Sequence, residues 1–208
     1  MILLVNNQKS LYYSENYKAL IDGFGKQLQD AIKTGNIVDP SNLPKAQVRH
    51  SVYKDNNIIY ISAPLGGVRY AFEIKEPISW KICNDEIQEI SGYKCIKAIT
   101  KINNRMYIAW FTYDIPISDG PYKFNGLPGL ILKLNEEHHY FNFELLSLKK
   151  VMLPIEFNKE KQIIVSREQY LSKRKEYLKD PSQGKINTPQ YRQYIEENRK
   201  KNNNFLEN

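Results

Sequence analysis

The side chains here that could do chemistry are two cysteines, a His-His pair with acidic neighbours, two loop aspartates, and a cluster of aromatics beside basic residues. Cys83 and Cys95 stand in β-like segments, with no C-x-x-C pair or nearby histidine to suggest zinc. In an oxidising compartment they are candidates for one cross-strand disulfide, worth about 3 kcal/mol for so short a loop. Otherwise they are buried free thiols. Lys94 beside Cys95 could lower a thiol pKa, but a buried strand cysteine accounts for the residue equally simply.

His138-His139 follows Asn135-Glu136-Glu137. Adjacent strand residues point to opposite faces, so both histidines cannot easily hold one ion. One of them with Glu136 or Glu137 could bind a surface ion, yet a solvated turn explains the run, and no metal site is assigned. His50 has no sequence partner. Asp114 and Asp119 could act as paired carboxylates for acid and base work, although Asp119 also suits the first position of the turn Asp119-Gly120-Pro121. No serine sits in a G-x-S-x-G elbow, and Gly66-Gly67 lacks the lysine and helix of a phosphate loop. No catalytic residue and no cofactor is assigned.

Tyr107, Trp110, Phe111, Tyr113, Tyr122 and Phe124 lie near Arg105 and Lys123, the composition of a stacking platform for single strands. Alternating aromatics also form the core and cover of a sheet. The net charge of +7 divides as +3 over residues 1–150 (18 basic, 15 acidic) and +4 over 151–208 (12 basic, 8 acidic). A mild excess carried by the tail describes a solvated face, and nucleic acid is not expected as a partner.

The most specific stretch is Asn-Gly-Leu-Pro-Gly-Leu-Ile-Leu-Lys-Leu at 125–134. Leu127-Pro128-Gly129-Leu130 fits a type II turn: proline presets the first central residue, and glycine supplies the positive φ required at the second. Asn125-Gly126 is a second turn signal, and an alternating apolar strand follows.

These residues need elements to hold them. Ile2–Val5 and Leu11–Ser14 read as an opening hairpin. A helix follows, with a stripe from Tyr17 through Leu20, Ile21, Phe24, Leu28, Ala31 and Ile32, Asn16 as its N-cap and Gly35 as its stop. The period then switches to two. Strands are expected at 48–54, 58–62, 68–75, 78–83, 92–102, 105–113, 130–134 and 140–148, separated by short turns that include Asn84-Asp85-Glu86. Fifteen tyrosines suit such a sheet. A last strand at 161–165 precedes the capping box Ser166-Arg167-Glu168-Gln169, and Thr188-Pro189 opens a second helix. The tail is expected to be disordered.

The fold class is therefore mainly β with minor α: a curved antiparallel meander sheet or partial barrel, one helix near the N-terminus packed on it, and two C-terminal helices. Residues 1–150 form the β domain, and 151–208 form an extension of one strand, two helices and a disordered end. No run of 18 apolar residues occurs, so no helical membrane span is expected, and the first residues carry no signal peptide.

Gly126-Leu127-Pro128-Gly129-Leu130-Ile131 resembles the motif of the GLPGLI family, exported proteins found mainly in Bacteroidota. Ala109 to Ile117, Gly120 to Phe124, Trp80 and Gly92 to Ala98 resemble the same family, so that the likeness extends over about 1–150. The resemblance implies a periplasmic or secreted location and no settled activity. Family members usually carry an export signal and a further strand ahead of the segment matching 1–14, which implies that Met1 is an internal methionine. The missing strand would leave an unpaired edge that promotes association.

Three functions follow as expectations. The first is a non-enzymatic carrier or binding module for a lipid or other apolar ligand, with Trp110, Phe124, Leu127, Pro128, Gly129 and Leu130 lining or gating a pocket. The second is a structural partner of an outer-membrane complex. The third is a hydrolase-like enzyme using Asp114, Asp119, His138 or Cys95.

Overall fold

Runs of alternating apolar and polar residues, broken by turns with residues in the left-handed region, can pair only with their neighbours in sequence, and that is how most of this chain is built. The computed structural model describes residues 1–56, 58–157 and 159–201. Its strands are β1 (Ile2–Val5), β2 (Lys9–Tyr13), β3 (Ser51–Asp55), β4 (Ile58–Leu65), β5 (Val68–Ile74), β6 (Lys81–Ile90), β7 (Tyr93–Ile102), β8 (Arg105–Thr112), β9 (Leu130–Glu136), β10 (Asn142–Glu144) and β11 (Ile163–Ile164). The helices are α1 (Glu15–Thr34), α2 (Arg167–Lys179) and α3 (Pro189–Lys201).

The mainly β class holds, but the meander is divided between two sheets. One has the order β1-β2-β3-β4-β5-β11 and the other β10-β9-β8-β7-β6, and neither closes into a barrel. The β7–β8 turn is made by Asn103 and Asn104, both at positive φ, and the β6–β7 turn by Ser91 and Gly92. Such residues match the twist of antiparallel partners. β11 pairs in parallel with β5 through Ile163↔Tyr70 and Ile164↔Ala71, so the C-terminal segment extends the first sheet.

The expected turn at 84–86 is instead a bulge within β6. Pairing with β7 shifts between Cys83↔Lys97 and Ile87↔Ile96. β6 is an edge strand, and its polar, exposed middle leaves the irregularity without cost to a core. The strand expected at 140–148 is reduced to β10, beyond which the chain runs without regular structure.

The inner faces of both sheets meet in one core. Val52, Ile61 and Phe72 of the first sheet join Ala109, Phe111 and Leu134 of the second. α1 lies against the rest of the molecule along a half-buried row of Tyr17, Leu20, Gly23, Gln27 and Ala31. None of its residues is buried, and Ile21, Phe24, Leu28 and Ile32 of the expected stripe are exposed. Its contacts are light: the Arg69 guanidinium lies 5.1 Å over the Tyr17 ring, and Leu43 crowds Gly23. The N-cap is Ser14 rather than Asn16, its hydroxyl accepting from the Tyr17 amide at 3.2 Å, while Gly35 closes the helix at φ 77°.

The capping box at α2 is present in full, with Gln169 N–H donating to Ser166 Oγ at 3.2 Å and Ser166 N–H to Gln169 Oε1 at 2.9 Å. α2 is anchored chiefly by Tyr170, with the half-buried Leu171 packed against the same core. Tyr170 is 2% exposed and stacks on Phe72 at 4.7 Å. The tail expected to be disordered, 202–208, lies outside the described residues.

Replacing Tyr170 with alanine removes this anchor. The expected cost is roughly 3 kcal/mol of stability, comparable with other buried aromatic truncations. Urea denaturation of the variant beside Gln169→Ala, which touches only the cap and should lose about 1 kcal/mol or less, checks the assignment.

Candidate functional site

The segment between β8 and β9, residues 113–129, contains the most specific part of the sequence. Its chain is fastened from several directions. Ile131 N–H donates to Asp119 O at 2.9 Å, Leu130 N–H to Ile115 O at 3.0 Å, and Gly126 N–H to Ser118 Oγ at 3.2 Å. From outside the segment, Trp80 Nε1–H donates to Asn125 O at 2.7 Å.

The strongest fastening comes from a residue that sequence reasoning missed. Lys54 of β3 is 3% exposed, and its ammonium donates to the Asp119 carboxylate, to Gly120 O at 3.0 Å and to Phe124 O at 3.3 Å. Burial pushes the Lys54 pKa below its ordinary value, against the opposing pull of Asp119. The available signal was parity: Lys54 shares the inward face of β3 with Val52. The partner could not be read, because Asp119 lies 65 positions away.

The turn chemistry differs from the expected type II geometry. Positive φ occurs at Gly126, 90°, and not at Gly129. Gly129 is required for another reason. A Cβ there would stand 2.0 Å from Thr112 O, so the backbones of β8 and the motif approach too closely for any side chain. Tyr122, with φ 55°, takes the left-handed conformation without being glycine and is buried beside His50, 5.0 Å ring to ring.

The residues expected to line one pocket are divided between two faces of the second sheet. Phe124, Leu127 and Ile131 fill the core between the sheets, where Phe124 packs on Tyr107 at 4.9 Å and tilts against Trp80 at 6.3 Å. Leu130 lies on the opposite face in a smaller cluster with Ile90, Cys95 and Leu132, and Trp110 covers it half-buried. Gly126 and Pro128 remain exposed at the surface. The division follows from strand alternation at Leu130 and Ile131.

Surface clefts lie elsewhere among the described residues. One, about 760 Å³, lies between the β4–β5 hairpin and the chain after α2, lined by Tyr70, Val68, Lys173, Tyr177 and Ile186 among others. Another, about 370 Å³, is lined by Lys9, Tyr53 and Ile155 to Phe157. Above it, the Phe157 ring is stacked between Tyr53 and Tyr60 at 5.2 and 4.8 Å.

Of the catalytic candidates, Asp119 is committed to Lys54, and Cys95 is buried, its thiol pushed up to about 11 chiefly by desolvation. Such a thiol is protonated at neutral pH and is no activated nucleophile. The disulfide expected as one alternative is absent: Cys83 and Cys95 are both free, and Cys83 pairs with Lys97 while Cys95 pairs with Gln88. The two cysteines therefore stand on different rungs of the ladder. His138 is exposed in the β9–β10 turn, beside Glu136 and Glu137.

Comparison with known proteins adds a family signal and a fold. Residues 100–133 match the model of a family described as a protein of unknown function (Porph_ging), a stretch that spans β8 and the whole 126–131 motif. No curated protein matches the chain. Two solved structures of PNGF-II, in C2 and P21 space groups, superpose with TM-scores of 0.57 and 0.58 at 20% and 18% identity. They cover 80% and 82% of this chain, which spans 28% of the length of each PNGF-II chain. At that identity the likeness is one of fold.

Lys54→Met should cost about 3–5 kcal/mol, because it strands a buried carboxylate and two carbonyls. Adding Asp119→Asn should recover part of the loss, which thermal and urea denaturation of the two variants would measure. Thiol labelling provides a second check. Native protein should react at Cys83 without prior reduction, whereas Cys95 should react only on unfolding. Its folded pKa lies above the unfolded value, so its stabilising contribution is present below pH 9.0 and is lost as the pH rises through about 11.

Proposed function

We propose that the protein is a non-enzymatic binding module of the cell envelope that engages a lipid surface through side chains outside the sheet sandwich. The wider assignment to the exported GLPGLI proteins of Bacteroidota belongs to this proposal. Its support is the motif at 126–131 together with the family match over 100–133.

One observation carries the reading. After β10 the chain runs through Leu146, Leu148, Val151, Met152 and Leu153 without regular structure, and all five side chains are exposed, Leu146 at 94% and Met152 fully. Exposed aliphatics scattered singly need no explanation, but five within eight positions form a patch that calls for a partner. Burying Leu146 or Met152 there would contribute roughly 1.5–3 kcal/mol each, and the half-exposed Leu148, Val151 and Leu153 about half as much. Lys149 and Lys150 interrupt the run, so the patch pairs apolar groups with positive charge, the combination that suits anionic headgroups. An interior carrier is less well supported, because Phe124, Leu127 and Ile131 fill the space between the sheets.

A structural role in an envelope assembly is the second reading, and the apolar stripe left exposed on α1 favours it. A protein partner would cover that stripe as well as the 146–153 run.

Cosedimentation with phosphatidylglycerol-containing vesicles separates the two. The lipid reading expects the protein in the pellet, release by Leu146→Ser with Met152→Ser, and weaker binding at high salt. Protein that stays in the supernatant with every vesicle composition removes that reading. Recovery from its own envelope with a stoichiometric protein, released by Phe24→Ser with Leu28→Ser, would establish the assembly role.

A further inference from the structure

We propose that Glu136, Glu137 and His138 form a binding site for a zinc-class divalent cation at the β9–β10 turn. Each offers one donor atom, two carboxylate oxygens and an imidazole nitrogen, and these atoms lie within 4.8 Å of one another. The set is the mixed nitrogen and oxygen chemistry that suits zinc, and the consecutive order makes the site local to the turn.

An acidic cluster alone would carry little weight, and the deciding observation is the state of Glu136. It is the buried member, 1% exposed, at the end of a strand whose inner residues belong to the core. Its Oε2 accepts from His138 N–H at 2.9 Å and from Tyr140 N–H at 3.3 Å, which shapes the turn. Its Oε1 is buried with no hydrogen-bond partner. A buried carboxylate oxygen without a donor is costly, and in the proposed site Oε1 is the ligand atom, so that the cation supplies the partner it lacks.

The geometry needs little adjustment. Ligand bonds of about 2.0–2.2 Å place tetrahedral donors ~3.3 Å apart. His138 Nε2 and Glu137 Oε1 already stand 3.7 Å apart on exposed side chains, the His138 ring lying edge-on to Tyr140 at 6.0 Å. The neighbouring His139 is directed elsewhere, its Nδ1 lying 3.2 Å from Asn142 Oδ1. Water would complete the coordination on the open side.

Calorimetric titration of Zn²⁺ into the full chain tests the site. The expected result is one saturable zinc per chain, weakened at least about tenfold by His138→Ala and by Glu136→Gln but unchanged by His139→Ala. His138→Ala alters an exposed side chain, so a folding defect cannot mimic the loss. In NMR spectra the His138 ring signals should shift on zinc addition while those of His139 and His50 stay in place. Absence of saturable binding in the millimolar range, or wild-type affinity in His138→Ala, would overturn the proposal.

Discussion

The ammonium of Lys54 sits where a sandwich core would ordinarily carry only apolar groups, and it has to be fully coordinated to remain there. A buried charge without partners would cost several kcal/mol, so the Asp119 carboxylate and the carbonyls of Gly120 and Phe124 must stand around it. That demand fixes the path of the chain between β8 and β9. Once Gly120 and Phe124 are held, Leu127 drops into the core, Gly126 turns the chain outward, and Leu130 enters β9 in register. The 126–131 motif is thus the visible half of an arrangement whose other half lies on β3.

The same constraint explains why glycine and proline are so dense in this segment. At Gly129 the requirement is close approach of two backbones, with Thr112 O occupying the place of any Cβ. A second crowded position, Gly120, lies against Ile131, whose Cβ would be 2.8 Å from an added methyl. Neither glycine is used for conformational freedom. They are small because the pinned loop is pressed against the sheet that follows it, and a packed interior tolerates no extra volume.

Phe124, Leu127 and Ile131 pack into the core between the sheets, and other notable features lie outside it. The chain after β10 and the stripe of α1 expose aliphatic side chains, while the β9–β10 turn gathers acidic groups and a histidine. These features are separate from the motif. The segment with the family signature is built into the core, while the exposed apolar and acidic features lie in segments of weaker sequence signature. The likeness to PNGF-II, of whose length this chain spans 28%, is one of fold.

Local sequence determined a good deal. The opening hairpin, the strands of β4, β5, β7 and β8, the left-handed stop at Gly35 and the capping box at Ser166 were all legible, because each depends on residues a few positions apart. What local pattern could not reveal was the division of one meander into two facing sheets. That choice put apolar residues of both sheets into one shared core, while Ile21, Phe24, Leu28 and Ile32 of α1 stayed exposed. It also sent Phe124 and Leu130 to opposite faces and brought Lys54 to Asp119 across 65 positions. Alternation states which residues share a face of a strand, but it does not state what that face meets. Only tertiary packing supplies the partner, and here the partner of a single lysine decided the shape of the most specific segment in the chain.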